Sequence, residues 1–244
     1  MAILPLIGVT QRVVNLPGSK ERRDVLDQAW TGFLHACGYE ILPIPNCHPC
    51  PEDFVKNIGI KGLLLTGGNN ISNSFKTING DKVVGLLQMQ DLAPERDKTE
   101  NALLTAGMLN SWLVLGVCRG MQILNAFHGG KLRPIPGHAS TKHKLSFQNR
   151  EDKYLIDTVN NKVNSFHDMA ITEDDLASGM HIMAKAGESI EAIINYKFNH
   201  LGIMWHPERE KPFRDSDIKL VRAFFNGDNK NQMKTASLFC NSLG

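Results

Sequence analysis

A cysteine between two glycines, in "GVCRG" at residues 116–120, is the feature of this 244-residue sequence with the clearest chemical role. The apolar run Trp112 to Val117 has the length and composition of a buried strand, and the residues after Cys118 recur at helical spacing. A nucleophile flanked by glycines at a strand-to-helix junction is typical of a nucleophile elbow, because the turn leaves no room for neighbouring side chains. The positive end of the following helix favours a thiolate. The alternative is that Cys118 is a small buried hydrophobic residue.

A thiol nucleophile needs a base, and His206 in "GIMWHPE" is the leading candidate among nine histidines. It follows the apolar run Leu201–Trp205, so it lies at the carboxyl end of a predicted strand, where open α/β sheets build their sites. Glu208 comes two residues later, and in extended chain residues i and i+2 project to one side. Its carboxylate is therefore expected to orient the imidazole, which completes a nucleophile–base–orienter set with Cys118. Alternatively, His206 is a strand-end histidine beside a solvated glutamate.

Two backbone segments are candidates for stabilising an oxyanion. The N–H of Arg119 directly follows the turn, and Gly67-Gly68 ends the apolar run "KGLLLTGG" without side chains that obstruct its amides. A Gly-Gly pair at a strand end is also common as a simple turn. The G-x-G-x-x-G fingerprint is absent from this segment, so we do not expect a dinucleotide there.

The motifs "LTGG", "GVCRGMQILN", "VNSFH" and "GIMWHPE" occur in this order, and over nearly the whole chain the sequence resembles the class I glutamine amidotransferase-like family. It is most similar to the γ-glutamyl hydrolase branch, such as γ-glutamyl-γ-aminobutyrate hydrolase. The resemblance implies a triad of Cys118, His206 and Glu208. It implies an oxyanion hole formed by the backbone amides of Gly68 and Arg119. It also implies that the glutamyl group is bound by Gly67, Gln122, Asn164, Ser165, Phe166 and His167.

The segment "ERDKTE" carries a further part of the resemblance. Arg96, Asp97 and Glu100 match the "RD..E" signature of the hydrolase branch, which glutaminase domains of synthases generally lack. After the Gly-Gly this chain has "NNIS" and a shorter insert before Arg96 than the acid- and proline-containing loop of many hydrolases. This departure concerns the leaving-group pocket rather than the chemistry. From the residues alone, Arg96 and Asp97 are equally well interpreted as a structural ion pair.

The elements that must position these residues alternate along the chain. Apolar runs without alternation predict buried strands over residues 4–10, 61–68 and 112–118, and helical spacing predicts helices over residues 19–38, 94–109 and 215–226. In the first helix, Ser19 is the expected N-cap and Gly38 the expected C-cap. Shorter, more polar pieces after residue 131 suit further strands of a mixed sheet.

These elements predict an α/β fold with a mixed, largely parallel central sheet flanked by helices. The resemblance implies that this is the flavodoxin-like three-layer arrangement of the class I glutamine amidotransferase-like family. We expect one domain over residues 1–226 and a polar C-terminal tail over residues 227–244.

The composition gives no sign of a nucleic-acid-binding, membrane or secreted disulfide-rich protein. A hydrophobic content of 42%, a charged content of 21% and a net charge of +2 provide no electrostatic reason to expect nucleic acid or an anionic membrane as a partner. The N-terminal "MAILPLIGVTQR" is predicted to be a first strand rather than a leader, and no apolar run approaches the ~20 residues of a membrane span. Five cysteines, an odd number, favour a reducing cytoplasm over a secreted disulfide framework. The sequence does not decide whether the chain forms a homodimer.

Several other residues are candidate metal ligands or cleft residues. Cys47, His48 and Cys50 in "NCHPC" provide one C-x-x-C and a neighbouring histidine, which is not a four-ligand zinc set. We therefore predict a surface loop there, no metal and no cofactor. His138 and His143 either line the cleft or are solvated loop histidines.

Three functional hypotheses follow. The first is a thiol hydrolase that cleaves a γ-glutamyl amide through a glutamyl thioester. The second is the glutaminase component of an amidotransferase, which uses the same chemistry to supply ammonia to a synthase partner. The third is a binding module with a silent site, which the intact candidate triad argues against. The "RD..E" signature favours the hydrolase. The substrate of such a hydrolase is a small γ-glutamyl molecule. Its leaving group is open between an amine, a polyglutamate tail and a nucleotide-linked amidate. The last of these is known among relatives that serve surface-polysaccharide synthesis.

Overall fold

The computed structural model describes residues 3–73, 75–83, 90–148 and 161–227. Its strands are β1 (Leu6–Thr10), β2 (Arg12–Asn15), β3 (Arg22–Val25), β4 (Glu40–Ile44), β5 (Gly62–Leu65), β6 (Leu113–Val117), β7 (Arg133–Pro134), β8 (Ala139–Lys144), β9 (Ser146–Phe147), β10 (Lys162–Phe166), β11 (Met169–Ala170), β12 (His181–Ala186), β13 (Ser189–Asn195) and β14 (His200–Ile203). Its α-helices are α1 (Ala29–Ala36), α2 (Pro51–Ile58), α3 (Pro94–Leu109), α4 (Arg119–Phe127) and α5 (Asp215–Asn226). Of the predicted tail, residues 228–244 lie outside the described residues, and the domain bounds stay a prediction.

Eight strands form the central sheet, in the order β4-β1-β5-β6-β14-β13-β12-β9. The first five are mutually parallel. The last three pair antiparallel. The predicted mixed, largely parallel sheet is therefore confirmed. Because β5, β6 and β14 are parallel neighbours, their carboxyl ends meet at one edge, and the segments that follow them carry Gly67-Gly68, Cys118 and His206.

Each face of the sheet packs on its own layer of helices. Successive residues of the buried strands alternate between two hydrophobic cores, which is why the runs are apolar throughout. Leu64 and Leu115 pack in the core with α1 and α5, whereas Leu63 and Leu65 pack in the core with α2, α3 and α4. The result is the predicted helix–sheet–helix sandwich. Within the described residues, no helix is both long and apolar enough to pass through a bilayer.

The predicted helices α3 and α5 are confirmed, but the helix predicted over residues 19–38 is wrong in its first half. Residues 22–25 are strand β3, which pairs antiparallel with β2. Ser19 does not cap a helix; its Oγ accepts from the backbone N–H of Glu21 within the hairpin turn. The helix begins only at Ala29, whose N–H donates to Asp27 Oδ1 at 2.9 Å. Pairing with β2 makes residues 22–25 a strand, and the helical spacing of the sequence gives no sign of that pairing.

The turn from β6 to α4 has no room for side chains at its glycines. A Cβ added to Gly116 would lie 2.4 Å from the carbonyl oxygen of Gly120. A Cβ added to Gly120 would lie 2.1 Å from the carbonyl oxygen of Leu65 in the neighbouring strand β5. Since both obstacles are backbone atoms, a rotamer change cannot relieve them. The glycines therefore allow α4 to begin directly against the sheet.

We expect Gly120→Ala to lower the free energy of unfolding by at least about 1–3 kcal/mol, the usual cost of overpacking. Gly107→Ala in α3 is the matched control, because its Cβ would meet Trp112 only at an ordinary 3.5 Å. The control should raise stability by about 0.5–1 kcal/mol through helix propensity. Urea unfolding of both variants measures the difference, and equal stability of the two would contradict the close approach of α4 to β5.

Candidate active site

Cys118 occupies the strained position between β6 and α4. Its backbone has φ 54° and ψ −109°, a left-handed conformation that costs a non-glycine residue about 1–3 kcal/mol and persists only where the surroundings enforce it. The surroundings here are two backbone hydrogen bonds. The Cys118 N–H donates to the Ile203 carbonyl at 2.8 Å, and its carbonyl accepts from the Gln122 N–H at 3.2 Å. These bonds fix the cysteine at the N-terminus of α4, as predicted for an elbow.

His206 and Glu208 are in direct contact after β14. The Nδ1 of His206 lies 2.7 Å from Oε1 of Glu208, and both side chains are buried. The expected contact is present, but the predicted extended chain between them is not. Pro207–Arg209 forms a 3₁₀ turn instead, and this turn brings the carboxylate back to the ring.

Gly67 lies against both Cys118 and the ring of His206. A Cβ added to Gly67 would be 2.8 Å from Cε1 of His206 and 3.5 Å from Cβ of Cys118. Burial acts to lower the pKa of His206, but its hydrogen bonds with Cys118 and Glu208 and the charges of both raise this pKa to about 9. The ring therefore holds two protons at neutral pH, one directed at the carboxylate and one directed at the sulfur.

Arg96 holds the strand end that carries the two glycines. Its guanidinium donates to the carbonyl oxygens of Thr66, Gly67 and Gly68 at 2.6, 3.1 and 2.5 Å. Gly68 has φ +78°, a conformation suited to glycine. Because Arg96 binds three consecutive carbonyls, it determines how the peptide groups of this strand end are oriented.

A buried ion network joins Arg96 to the cysteine turn. Glu100 accepts from Arg96 at 2.9 Å and from Arg119 at 2.5 Å, and Asp97 accepts from Arg119 at 2.5 Å. Thr10 also donates to Glu100 at 2.8 Å. Arg96 and Asp97 thus belong to one network but bind different partners, so the predicted ion pair between these two is wrong. The Arg119 side chain faces the network, which leaves only its backbone for the predicted oxyanion role.

The charged groups of this network shift the pKa values of one another. Burial acts to raise the pKa of Glu100, but the charges of Arg119 and Arg96 hold it below its usual range. Burial, together with the charge of Arg119, lowers the pKa of Arg96 to about 10, so Arg96 is still a cation at neutral pH. Glu100 and Arg96 are therefore both ionised at neutral pH.

Asn164 was predicted to bind substrate, but its amide is occupied with the backbone of His206. Its Oδ1 accepts from the His206 N–H at 2.8 Å, and its Nδ2 donates to the His206 carbonyl at 2.9 Å. The same Nδ2 lies 2.9 Å from Oε1 of Glu210. Asn164 on β10 is thus a positioning residue for His206, a role that sequence reasoning missed because 42 residues separate the partners.

The other predicted substrate residues are mostly engaged within the protein. Gln122 Nε2 and His167 Nδ1 both lie 3.0 Å from the Met169 carbonyl, and Ser165 Oγ donates to the His138 carbonyl at 2.5 Å. All three predicted residues are buried. Their assignment to substrate binding stays a prediction.

Phe166 differs from these residues because its side chain is 43% exposed. Its ring meets that of His206 edge to face, with centroids 5.7 Å apart. The guanidinium of Arg209 lies over the Phe166 ring, 4.5 Å from its centroid. Phe166 therefore forms an accessible wall beside the candidate base.

A second arginine, Arg12, lies against the glycine strand end. A Cβ added to Gly68 would be 3.1 Å from Cδ and Nε of Arg12. The Arg12 side chain is 46% exposed and pairs with Asp91 at 3.2 Å, and Arg209 is 39% exposed. Two partly exposed guanidinium groups thus border the site. Sequence reasoning named neither, although Arg209 directly follows Glu208 in the sequence.

The loop of Cys47 and Cys50 is exposed, as predicted. His48 Nδ1 accepts from the Cys50 N–H at 3.1 Å, and its ring lies 5.0 Å from that of Phe54. His138 and His143 are only partly buried, and they lie with His167 rather than alone in solvent.

Comparison with known proteins agrees with this architecture. A sequence profile for the family described as Peptidase C26 matches residues 5–208. The γ-glutamyl-CDP-amidate hydrolase of Campylobacter jejuni is 26% identical over 222 residues, which cover 90% of this chain and 96% of the relative. The γ-glutamyl-γ-aminobutyrate hydrolase of Escherichia coli O157:H7 is 25% identical over 250 residues, which cover 91% of each chain.

The crystal structure of a glutamine amidotransferase from Methylobacillus flagellatus matches with a TM-score of 0.55 and 16% identity, covering 87% of this chain and 73% of that chain. At this identity the likeness shows the fold alone, which is the class I glutamine amidotransferase fold expected from the sequence. The family match spans the glycine strand end, the cysteine turn and the His206 segment. The chain therefore belongs to the Peptidase C26 family, with the class I glutamine amidotransferase-like fold.

Proposed function

We propose that this chain is a cysteine-dependent hydrolase that cleaves the γ-glutamyl amide bond of a small γ-glutamyl conjugate. The observation that carries the proposal is the position of His206, which is hydrogen-bonded to Cys118 and lies 2.7 Å from Glu208. Two full-length relatives whose names specify γ-glutamyl hydrolysis support the same bond as the target. We assign Cys118 as the nucleophile, His206 as the acid–base group and Glu208 as its orienter.

In the first step the Cys118 sulfur attacks the γ-carbonyl carbon, and a carbon–sulfur bond forms while the carbonyl π electrons move to oxygen. The backbone amides of Gly68 and Arg119 are proposed to bind this oxyanion, each worth several kcal/mol in comparable sites. His206, with its pKa of about 9, is a cation at neutral pH, and a cation beside a cysteine sulfur favours the thiolate that the attack requires.

In the second step the intermediate collapses, the carbon–nitrogen bond breaks, and His206 donates its proton to the departing amine. A γ-glutamyl thioester on Cys118 remains. His206, now neutral, takes a proton from water as the water oxygen bonds to the thioester carbon; the carbon–sulfur bond then breaks, which releases glutamate and regenerates the Cys118 thiolate beside protonated His206. Glu208 keeps Nδ1 protonated throughout, so that Nε2 is the nitrogen that exchanges the proton with sulfur, amine and water.

Two guanidinium groups lie beside the site, Arg12 paired with Asp91 at 3.2 Å and Arg209 3.5 Å from Glu208. Arg12 borders the glycine strand end, and Arg209 lies over Phe166 on the side of the base. An arginine pairs well with a carboxylate or a phosphate. A glutamyl α-carboxylate needs one such partner, and a phosphate-bearing leaving group would use the other. We therefore rank a nucleotide-linked amidate above a neutral amine as the leaving group.

The second candidate function is the glutaminase component of an amidotransferase, since it would use the same residues. The hydrolase is favoured because the two γ-glutamyl hydrolases align over 91–96% of their own lengths. The network of Arg96, Asp97 and Glu100 also assembles the site from within this chain.

The purified chain alone should hydrolyse a substituted γ-glutamyl amide with a much larger kcat/KM than it shows for glutamine. The reason is that a hydrolase needs no partner to complete its site, whereas a glutaminase subunit usually has little activity until its synthase binds. The assay compares γ-glutamyl amides that carry neutral, anionic and nucleotide-linked leaving groups, with Cys118→Ser as the inactive control. Turnover of glutamine alone, or activity only after a synthase is added, would favour the amidotransferase.

The imidazole of His206 should titrate with a midpoint near pH 9, which NMR of the histidine ring carbons measures directly, with His206→Asn providing the assignment. The midpoint should fall in Glu208→Gln and in Cys118→Ala. Each variant removes a partner that raises the pKa, while burial, which lowers it, remains. A midpoint at or below the ordinary value of 6.5 in the parent would contradict the proposed resting protonation.

A further inference from the structure

Three histidines and a glutamate from separate segments meet on the side of β10 that does not hold His206. His138 precedes β8, His143 lies on β8, His167 follows β10, and Glu191 lies on β13. One potential ligand atom from each lies within 4.8 Å of all the others. Glu191 is fully buried and His167 is 3% exposed, while His138 and His143 are partly buried.

The polar atoms of this cluster lack partners. Among the residues that the structure describes, four buried atoms here accept or donate no hydrogen bond: His138 Nδ1, His143 Nε2, His167 Nε2 and Glu191 Oε2. Each such atom costs about 1–3 kcal/mol, and native proteins contain few of them. Four in one place indicate a missing common partner.

The hydrogen bonds of His167 define the charge of that partner. Its Nδ1 lies 3.0 Å from the Met169 carbonyl, which only accepts, so Nδ1 carries the proton. In a neutral ring Nε2 is then a lone pair, yet it faces Oε1 of Glu191 at 3.5 Å. Two acceptors that face each other repel unless a cation lies between them.

A second histidine lies near the same oxygen of Glu191. His138 Nδ1 lies 3.8 Å from the same oxygen of Glu191, and Ser189 Oγ donates to that oxygen at 2.7 Å and so orients the carboxylate. A histidine that binds a metal commonly donates its other N–H to a backbone carbonyl, as His167 does to Met169. Ligand and supporting contacts are thus both present.

We propose that His138, His143, His167 and Glu191 form a structural Zn²⁺ site. Three imidazole nitrogens and one carboxylate oxygen are ligands that zinc accepts, at about 2.0–2.2 Å in a tetrahedron, which places the ligand atoms about 3.4 Å apart. The observed 3.5 and 3.8 Å separations are close to that value. Four protein ligands fill the coordination sphere, so the ion would stabilise structure rather than activate water.

The location gives the ion a positioning role. β8 and β10 pair antiparallel, with Val163 opposite His143, and Glu191 belongs to the central sheet. The zinc would therefore bind the paired strands β8 and β10 to β13. Because Asn164 on β10 holds the backbone of His206, the ion would also stabilise the position of that histidine. Metal binding itself does not depend on the proposed hydrolase activity.

Zinc titration of the full chain after treatment with a chelator tests the site. We expect about one Zn²⁺ per chain by elemental analysis, and a rise in Tm with zinc concentration but not with Mg²⁺. His138→Gln and Glu191→Gln should each weaken zinc binding by at least about 100-fold, because loss of an outer-shell partner alone costs 10–100-fold. The double variant Cys47→Ser, Cys50→Ser is the matched control and should bind zinc like the parent.

Cobalt substitution keeps the test decisive if a ligand variant fails to fold. The Co²⁺ form of the parent should have the intense visible bands of four-coordinate cobalt without the charge-transfer band of a thiolate ligand, which excludes Cys118 and the Cys47 loop as the site. Absence of bound zinc in the parent would overturn the proposal, and the cluster would then hold a proton instead. Parent-like zinc affinity in both His138→Gln and Glu191→Gln, or a thiolate band, would overturn it as well.

Discussion

The structure of the candidate site depends on one buried ion network. Arg96 binds the carbonyls of the glycine strand end, Arg119 directly follows the nucleophile turn, and Glu100 bridges the two arginines at 2.9 and 2.5 Å. Removing one partner from such a buried network typically costs 3–5 kcal/mol, because an unpaired charge remains, whereas the intact network contributes little net stability. Its value is therefore positional: it holds the two segments proposed to form the oxyanion hole in a fixed relation.

The candidate base His206 is positioned by different elements from those that hold Cys118. Cys118 is fixed by its own strained turn and by the strand β14, while His206 is held by Glu208 and by the amide of Asn164 on β10. The parallel strands β5, β6 and β14 bring these parts to one sheet edge. Preorganisation of this kind keeps the reacting groups in place before substrate binds, which lowers the entropy cost of the reaction.

Sequence reasoning could find the features that depend on neighbours along the chain. The strand ends, the glycines around Cys118 and the contact of His206 with Glu208 are local, and all three are present in the structure. It failed where partners are distant: residues 22–25 are a strand because they pair with β2, and Asn164 contacts His206 across 42 residues. The cluster of His138, His143, His167 and Glu191 is a further case, because its members come from separate segments of the chain. The assignment of the substrate residues depended on family resemblance alone. In the structure, most of their polar side-chain atoms form hydrogen bonds within the protein.

In the proposed mechanism, Cys118 becomes covalently acylated by the γ-glutamyl group, with His206 and the glycine strand end placed around the sulfur. Mass spectrometry after acid quenching of the first turnover with a γ-glutamyl amide tests it most directly. The predicted result is an adduct of one γ-glutamyl group on the peptide that contains Cys118, formed as the amine is released and absent from Cys118→Ala. An adduct on another residue, such as Cys47, or turnover by Cys118→Ala at the rate of the parent, would contradict the claim.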